Sequence, residues 1–146
     1  MLTGIRSDSF RRRRALLLGL PEGATDADVH THLMKGIPVA QLAKLLRSGD
    51  IDAYTCEQIK PGSAENEHLV SPDNRLSADE SDRVFRIVHA LVMAELLFGS
   101  RDKAQRWLSK PKDRFAGNSP LQMLTSTPGA WLVEELMLQL AEGFVL

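Results

Sequence analysis

The chain has 146 residues, 43% hydrophobic and 25% charged, with a formal net charge of −1. That is enough length to bury a real core in one domain or two small ones, and the composition is that of a soluble globular protein. The near-neutral balance argues against retention on nucleic acid by bulk charge, and a single cysteine, Cys56, excludes an intramolecular disulfide framework and fits a reducing cytoplasm.

Charge is uneven along the chain. Residues 1–50 carry eight Lys/Arg and five Asp/Glu (+3), residues 51–80 two and seven (−5), and residues 81–146 eight and seven (+1). The opening stretch "RRRRALLLGLPEGA" imitates a secretory leader. Such a leader needs roughly 7–15 apolar residues, and here Pro21 and Glu22 break the run after Leu20. No stretch approaches the roughly 18 apolar residues of a membrane span, so the expected location is the cytoplasm and no membrane partner is expected. Arg11, Arg12, Arg13 and Arg14 then read as a solvated arm or helix end, suited to phosphate or to an acidic partner.

The remaining signals are helical. Thr25 can cap "DADVHTHLMKG", with acids in its first turn and Gly36 as its stop. Pro38 suits the first turn of "PVAQLAKLLRSG", where Val39, Leu42, Leu45 and Leu46 share a face and Gly49 terminates. "DAYTCEQI" predicts a third short helix. Residues 60–75, "KPGSAENEHLVSPDNR", are polar, acidic and broken by Pro61, Gly62 and Pro72; they predict a loop and a domain boundary, giving domains 1–75 and 76–146.

In the second half, Ser77 and Glu80 form a capping box ahead of Val84, Ile87, Val88, Leu91 and Phe98 at helical spacing, ended by Gly99. Ser100 caps a shorter helix with Ala104, Trp107 and Leu108, stopped by Pro111. "SPLQ" is a further capping box, and Thr127-Pro128 opens the last helix in the same way, running to Gly143. No alternation of β type persists beyond four residues. The chain is predicted to be all-α.

The side chains that carry chemistry are few. His30 and His32 are two apart on a helix and do not face each other, so they make a poor metal pair. His68 stands among acids without a second ligand cluster. His89 lies among core positions and reads as a packed or interface residue. Cys56 has no cationic neighbourhood to activate it and reads as a small buried hydrophobe. With no phosphate loop, nucleophile elbow or paired carboxylates, nothing points to an enzyme, a cofactor or a metal.

The last helix is more informative. Val133, Leu136, Met137 and Leu140 share one arc, the predicted core face, while Glu134, Glu135, Gln139 and Glu142 lie opposite. Trp131 and Leu138 project from that polar side. Either another helix of the chain covers them or a partner does.

The segment of residues 76–146, about half the chain, resembles the toxin-binding domain of the Xre/MbcA/ParS antitoxins, partners of RES-domain toxins in type II toxin–antitoxin modules. The matching residues are Leu76-Ser77 with Glu80-Ser81-Asp82-Arg83, Ala94-Glu95, Phe98-Gly99, Ala104, Trp107-Leu108, Pro111, Gly117, Ser119-Pro120-Leu121, Leu124, Thr127, Gly129, Val133, Leu136 and Gly143. Upstream, "GIPVAQLAKLLRSGDIDAYTCEQI" is similar to the first helices of the Xre-type helix-turn-helix domain. Where the recognition helix of such a domain belongs, this chain has the acidic 60–75 segment. The N-terminal part therefore reads as a degenerate helix-turn-helix and dimerisation region, because base readout needs a regular helix with polar and cationic side chains aimed at the groove.

The resemblance implies a division of labour. The toxin is the enzyme; RES toxins resemble ADP-ribosyltransferases and consume NAD. The antitoxin has no catalytic residues, occludes the toxin's active site, and represses its own operon as a homodimer. Toxin contact is expected at Trp131, Leu138, Glu142 and Gly143, and at an apolar tail of Phe144, Val145 and Leu146 that would plug the toxin's cleft. The rival position for that tail is against Trp107 or Phe115 in the chain's own core. Operator contact, if made, is expected from Arg11, Arg12, Arg13, Arg14, Lys44, Arg47 and Lys60. Self-association is expected through the N-terminal region or the long helix, because Phe85, Val92 and Met93 lie off its core arc. The alternative reading is a helix-turn-helix transcriptional regulator whose C-terminal bundle only dimerises.

Overall fold

A computed structural model describes residues 7–63 and 73–143. Among them the regular structure is helical: α1 (Asp8–Leu18), α2 (Asp26–Lys35), α3 (Val39–Ser48), α4 (Ala53–Ile59), α5 (Ala78–Phe98), α6 (Arg101–Ser109), a 3-10 turn (Asp113–Phe115), α7 (Pro120–Met123) and α8 (Thr127–Gly143). The all-α expectation holds. The chain divides into two compact units, Ala15–Phe85 and Met1–Arg14 with Arg86–Leu146. The division therefore falls inside α1 and α5, and not in the 60–75 loop where composition changes.

In the Ala15–Phe85 unit, helix ends are set by local caps, one of them (Asp52) not anticipated and one (Pro38) a place earlier than expected. The Thr25 backbone N–H donates to Asp28 Oδ2 at 2.8 Å and the Asp28 N–H donates to Thr25 Oγ1 at 3.1 Å, a reciprocal capping box for α2. Pro38 stands one place before α3, with Gly49 at its left-handed end. Asp52 caps α4 through the Thr55 N–H at 2.7 Å.

The reason the unit extends past residue 75 is a short clasp. Leu76 N–H donates to Ile37 O at 2.8 Å and Val39 N–H to Asn74 O at 3.0 Å, so 37–39 and 74–76 lie antiparallel. Gly36 makes the approach possible. It has φ +92°, and a Cβ there would collide with the Leu76 carbonyl oxygen. Below the clasp, the buried Ser81 hydroxyl accepts the buried Ile37 N–H at 2.8 Å. The first turn of α5 is thus fastened to the α2–α3 connection, over a core that includes Leu18, Ile37, Leu42, Leu45, Cys56 and Ile59. The Ser77–Glu80 capping box is present at 2.8 and 3.1 Å.

In the other unit, the beginning of α1 packs on α5. Phe10 meets His89 edge-on at 5.3 Å between ring centroids, and Arg14 lies over the Phe10 ring at 5.3 Å. This changes the picture of the basic run. Residues 11–14 are helical, Arg14 is only 8% exposed, and Arg13 is paired with Glu95.

It also changes the argument for self-association. Val92 and Met93 are 1% and 2% exposed and Phe85 is half-buried, so the apolar excess of α5 is covered within the chain. A single core arc was the wrong expectation for this helix, whose middle is enclosed on several sides.

Further along, Phe98 packs on Trp107 at 5.5 Å, and Lys112 caps the indole face at 4.9 Å. Burial, and secondarily the neighbouring Lys110 charge, hold the Lys112 amine below its ordinary pKa. Ser119 and Gln122 complete the α7 capping box, with Pro120 at the first helical position. The cap of α8 falls one residue earlier than expected: Ser126 Oγ accepts the Gly129 N–H at 3.1 Å, and Thr127 is already helical.

Candidate protein-interaction surface

Helix α8 is held by a stripe of small and medium side chains at i, i+4 spacing. Gly129, Val133, Met137 and Ala141 are buried, while Leu136 and Leu140 of the expected core arc are half-buried. Gly129 allows the closest approach. Its Cα faces the Met123 carbonyl at the end of α7, and a Cβ would collide with that oxygen. The preceding turn is fixed from α5, where Arg86 donates from Nε to Leu124 O at 3.0 Å and from Nη2 to Thr125 O at 3.4 Å. On the flank, His89 Nε2 lies 3.9 Å from Glu134 Oε1. The helix therefore presents its outer face from a firm seat.

That outer face is apolar and acidic together. Trp131 is 65% exposed and Leu132 47% exposed. Trp131, Glu134, Glu135, Leu138, Gln139 and Glu142 line a shallow open depression of ≈ 480 Å³. Of the two readings left open for Trp131, cover by another helix is excluded among the described residues. A solvent-facing indole on a well-packed helix is an uncommon expenditure of apolar area, and such patches mark interaction sites. Leu132 was not anticipated; it lies at the margin of the core arc, where periodicity alone does not separate buried from exposed.

The other expected site residues are scattered. Glu142 and Gly143 are exposed at the end of α8. Phe144, Val145 and Leu146 lie outside the described residues, as does His68. In the Ala15–Phe85 unit, Lys44 and Arg47 are exposed on α3, while Lys60 Nζ is 3.7 Å from Glu80 Oε2. In the other unit, Arg11 and Arg12 are exposed on α1, whereas Arg13 and Arg14 are engaged in packing. His30 is exposed, and His32 Nε2 lies 2.9 Å from the Leu18 carbonyl oxygen. Among the described residues no group of three or more His, Cys, Asp or Glu is placed to hold a metal ion, and no helix is long and apolar enough to cross a membrane.

A packed helical platform carrying an exposed Trp-and-acid face has the character of a protein-binding surface. Comparison with known proteins agrees. Residues 93–143, which include all of α8, match the family model of the antitoxin Xre/MbcA/ParS C-terminal toxin-binding domain. An Antitoxin Xre from Pseudomonas putida is 44% identical over 135 residues, covering 92% of this chain and 84% of that protein. An Antitoxin Xre from Photorhabdus laumondii is 31% identical over 119 residues, covering 77% and 78%. The chain belongs to the Xre antitoxin family of toxin–antitoxin systems.

Proposed function

We propose that this antitoxin neutralises a RES-domain toxin that degrades NAD, by seating the outer face of α8 on the toxin and occluding its active site. The observation that carries this reading is Trp131, 65% exposed on a firmly packed helix within the segment that matches a toxin-binding domain. On this reading Leu138 and Glu142 border the contact, and residues 143–146 reach into the substrate cleft. A pocket for NAD must offer an apolar wall to a ring and cationic donors to a pyrophosphate, and a Phe-Val-Leu segment complements the wall. The chain acts by binding alone and needs no cofactor.

Co-expression with a RES-domain toxin tests the proposal. Deleting Phe144–Leu146 should leave a folded protein of unchanged melting temperature that still binds the toxin but no longer prevents NAD loss. Full neutralisation by the truncated protein would remove the plug from the account. Unfolding would assign the tail to the antitoxin's own core.

Operon autorepression is a second activity in this proposal, made by a homodimer, and it rests on a different observation. Lys44 and Arg47 are exposed one turn apart on α3, ahead of the tight α3–α4 turn. Contacts of this kind are to phosphates, so binding to the upstream DNA should weaken steeply with salt. Nanomolar binding with little salt dependence would contradict it.

A further inference from the structure

We infer that the segment of the toxin that seats on α8 is cationic as well as apolar: an Arg-bearing stretch whose guanidinium groups straddle an apolar side chain. This rests on the toxin-binding reading of α8 and specifies its partner chemistry.

At 100° per residue, Trp131, Glu135, Leu138 and Glu142 fall within an arc of about 60°, alternating apolar and acidic along the helix. An ordinary solvated helix face mixes signs, because Glu and Lys four apart stabilise each other. Helix α8 contains three Glu and no Lys or Arg. Moreover, Glu142 stands in the last turn, where the helix dipole disfavours an anion and where α8 has no basic residue. The helix therefore supplies no cation of its own to Glu135 and Glu142, a pattern that local helix stability does not explain.

That pattern selects among occupants. A second copy of this chain meeting the face about a two-fold axis would set Glu135 and Glu142 against like charges. Nucleic acid and anionic membranes are repelled for the same reason. A segment presenting Arg meets every feature at once. A guanidinium can stack on the Trp131 indole while donating paired hydrogen bonds to a carboxylate one turn away at Glu135, a combination that Lys cannot reproduce. An apolar side chain between two such cations rests on Leu138.

The test is the kinetics of a purified RES-domain toxin that this antitoxin neutralises, on immobilised full-length antitoxin, measured from low to moderate salt. Trp131→Ala reports on the docking face and the Glu135→Gln/Glu142→Gln double variant on charge; all three positions are exposed, and thermal melts verify folding. The expected result is faster dissociation for Trp131→Ala. For the double variant it is an association rate lower by about tenfold at low salt, with a flattened salt dependence. Loss of binding in Trp131→Ala with an unchanged rate and salt slope in the double variant overturns the cationic partner and leaves the docking face standing. Wild-type kinetics in Trp131→Ala overturns the docking face itself. A dimer of free antitoxin that Trp131→Ala converts to monomer in sedimentation would assign the face to a second copy, and overturns the inference.

Discussion

Arg13 grips Glu95 through two parallel hydrogen bonds, Nε to Oε2 at 3.2 Å and Nη2 to Oε1 at 3.3 Å, across 82 residues of sequence. Glu95 is the more enclosed partner, with 15% of its side chain exposed against 36% for Arg13. Such a fork in partly buried surroundings exceeds an ordinary surface pair, and its loss should cost about 1–2 kcal/mol. Arg13→Ala and Glu95→Ala should each lower the denaturant midpoint, and the double variant should lose less than the sum. Strict additivity in that cycle would show that the pair contributes no coupling.

This pair also marks where sequence reading stops. Four consecutive arginines look alike in a sequence, and only the packing of α1 on α5 separates Arg13 and Arg14 from the exposed Arg11 and Arg12. The burial of Val92 and Met93 was hidden for the same reason, because periodicity identifies one covered side and cannot register a second neighbour. Local chemistry was legible. The caps at Thr25, Ser77, Ser100 and Ser119 form as read, since each depends on residues three positions apart. That Trp131 projects from the polar arc was legible, but whether another helix covers it was not, since that depends on contacts far away in the sequence. That Ser81 belongs to the resemblance was visible, but its bond to Ile37, 44 residues away, was not.

Ser81→Ala tests that bond. Removing the hydroxyl leaves the Ile37 N–H buried without its acceptor, which should cost about 1–3 kcal/mol. For a chain of this size the melting temperature should fall by roughly 3–10 °C. A change under one degree would mean that the N–H finds another partner.

Gly129→Ala discriminates two opposed effects. Helix propensity alone favours Ala by about 1 kcal/mol. The collision of its Cβ with the rigid Met123 carbonyl should outweigh that, with net destabilisation of about 1–3 kcal/mol as α7 and α8 are forced apart. An increase in melting temperature would contradict the observed approach.

Asp28 should contribute a small acid-dependent stability. The Thr25 backbone N–H, and then the Thr25 side chain, hold its carboxyl below the usual value of 3.8. A carboxyl whose pKa is depressed on folding contributes fully above its unfolded pKa and loses that contribution as pH falls through the folded one. Asp28→Asn should therefore be less stable than wild type near neutral pH, with the gap closing below about pH 4. A gap independent of pH would assign the effect to the amide substitution and not to charge.

The central claim, that α8 is the surface through which this antitoxin meets its toxin, is tested most directly by amide hydrogen exchange on the purified complex and on free antitoxin. The account predicts that toxin binding slows exchange across residues 127–143, most strongly in the turns bearing Trp131 and Leu138. Unchanged exchange over 127–143, with protection confined to residues 39–59, would contradict it.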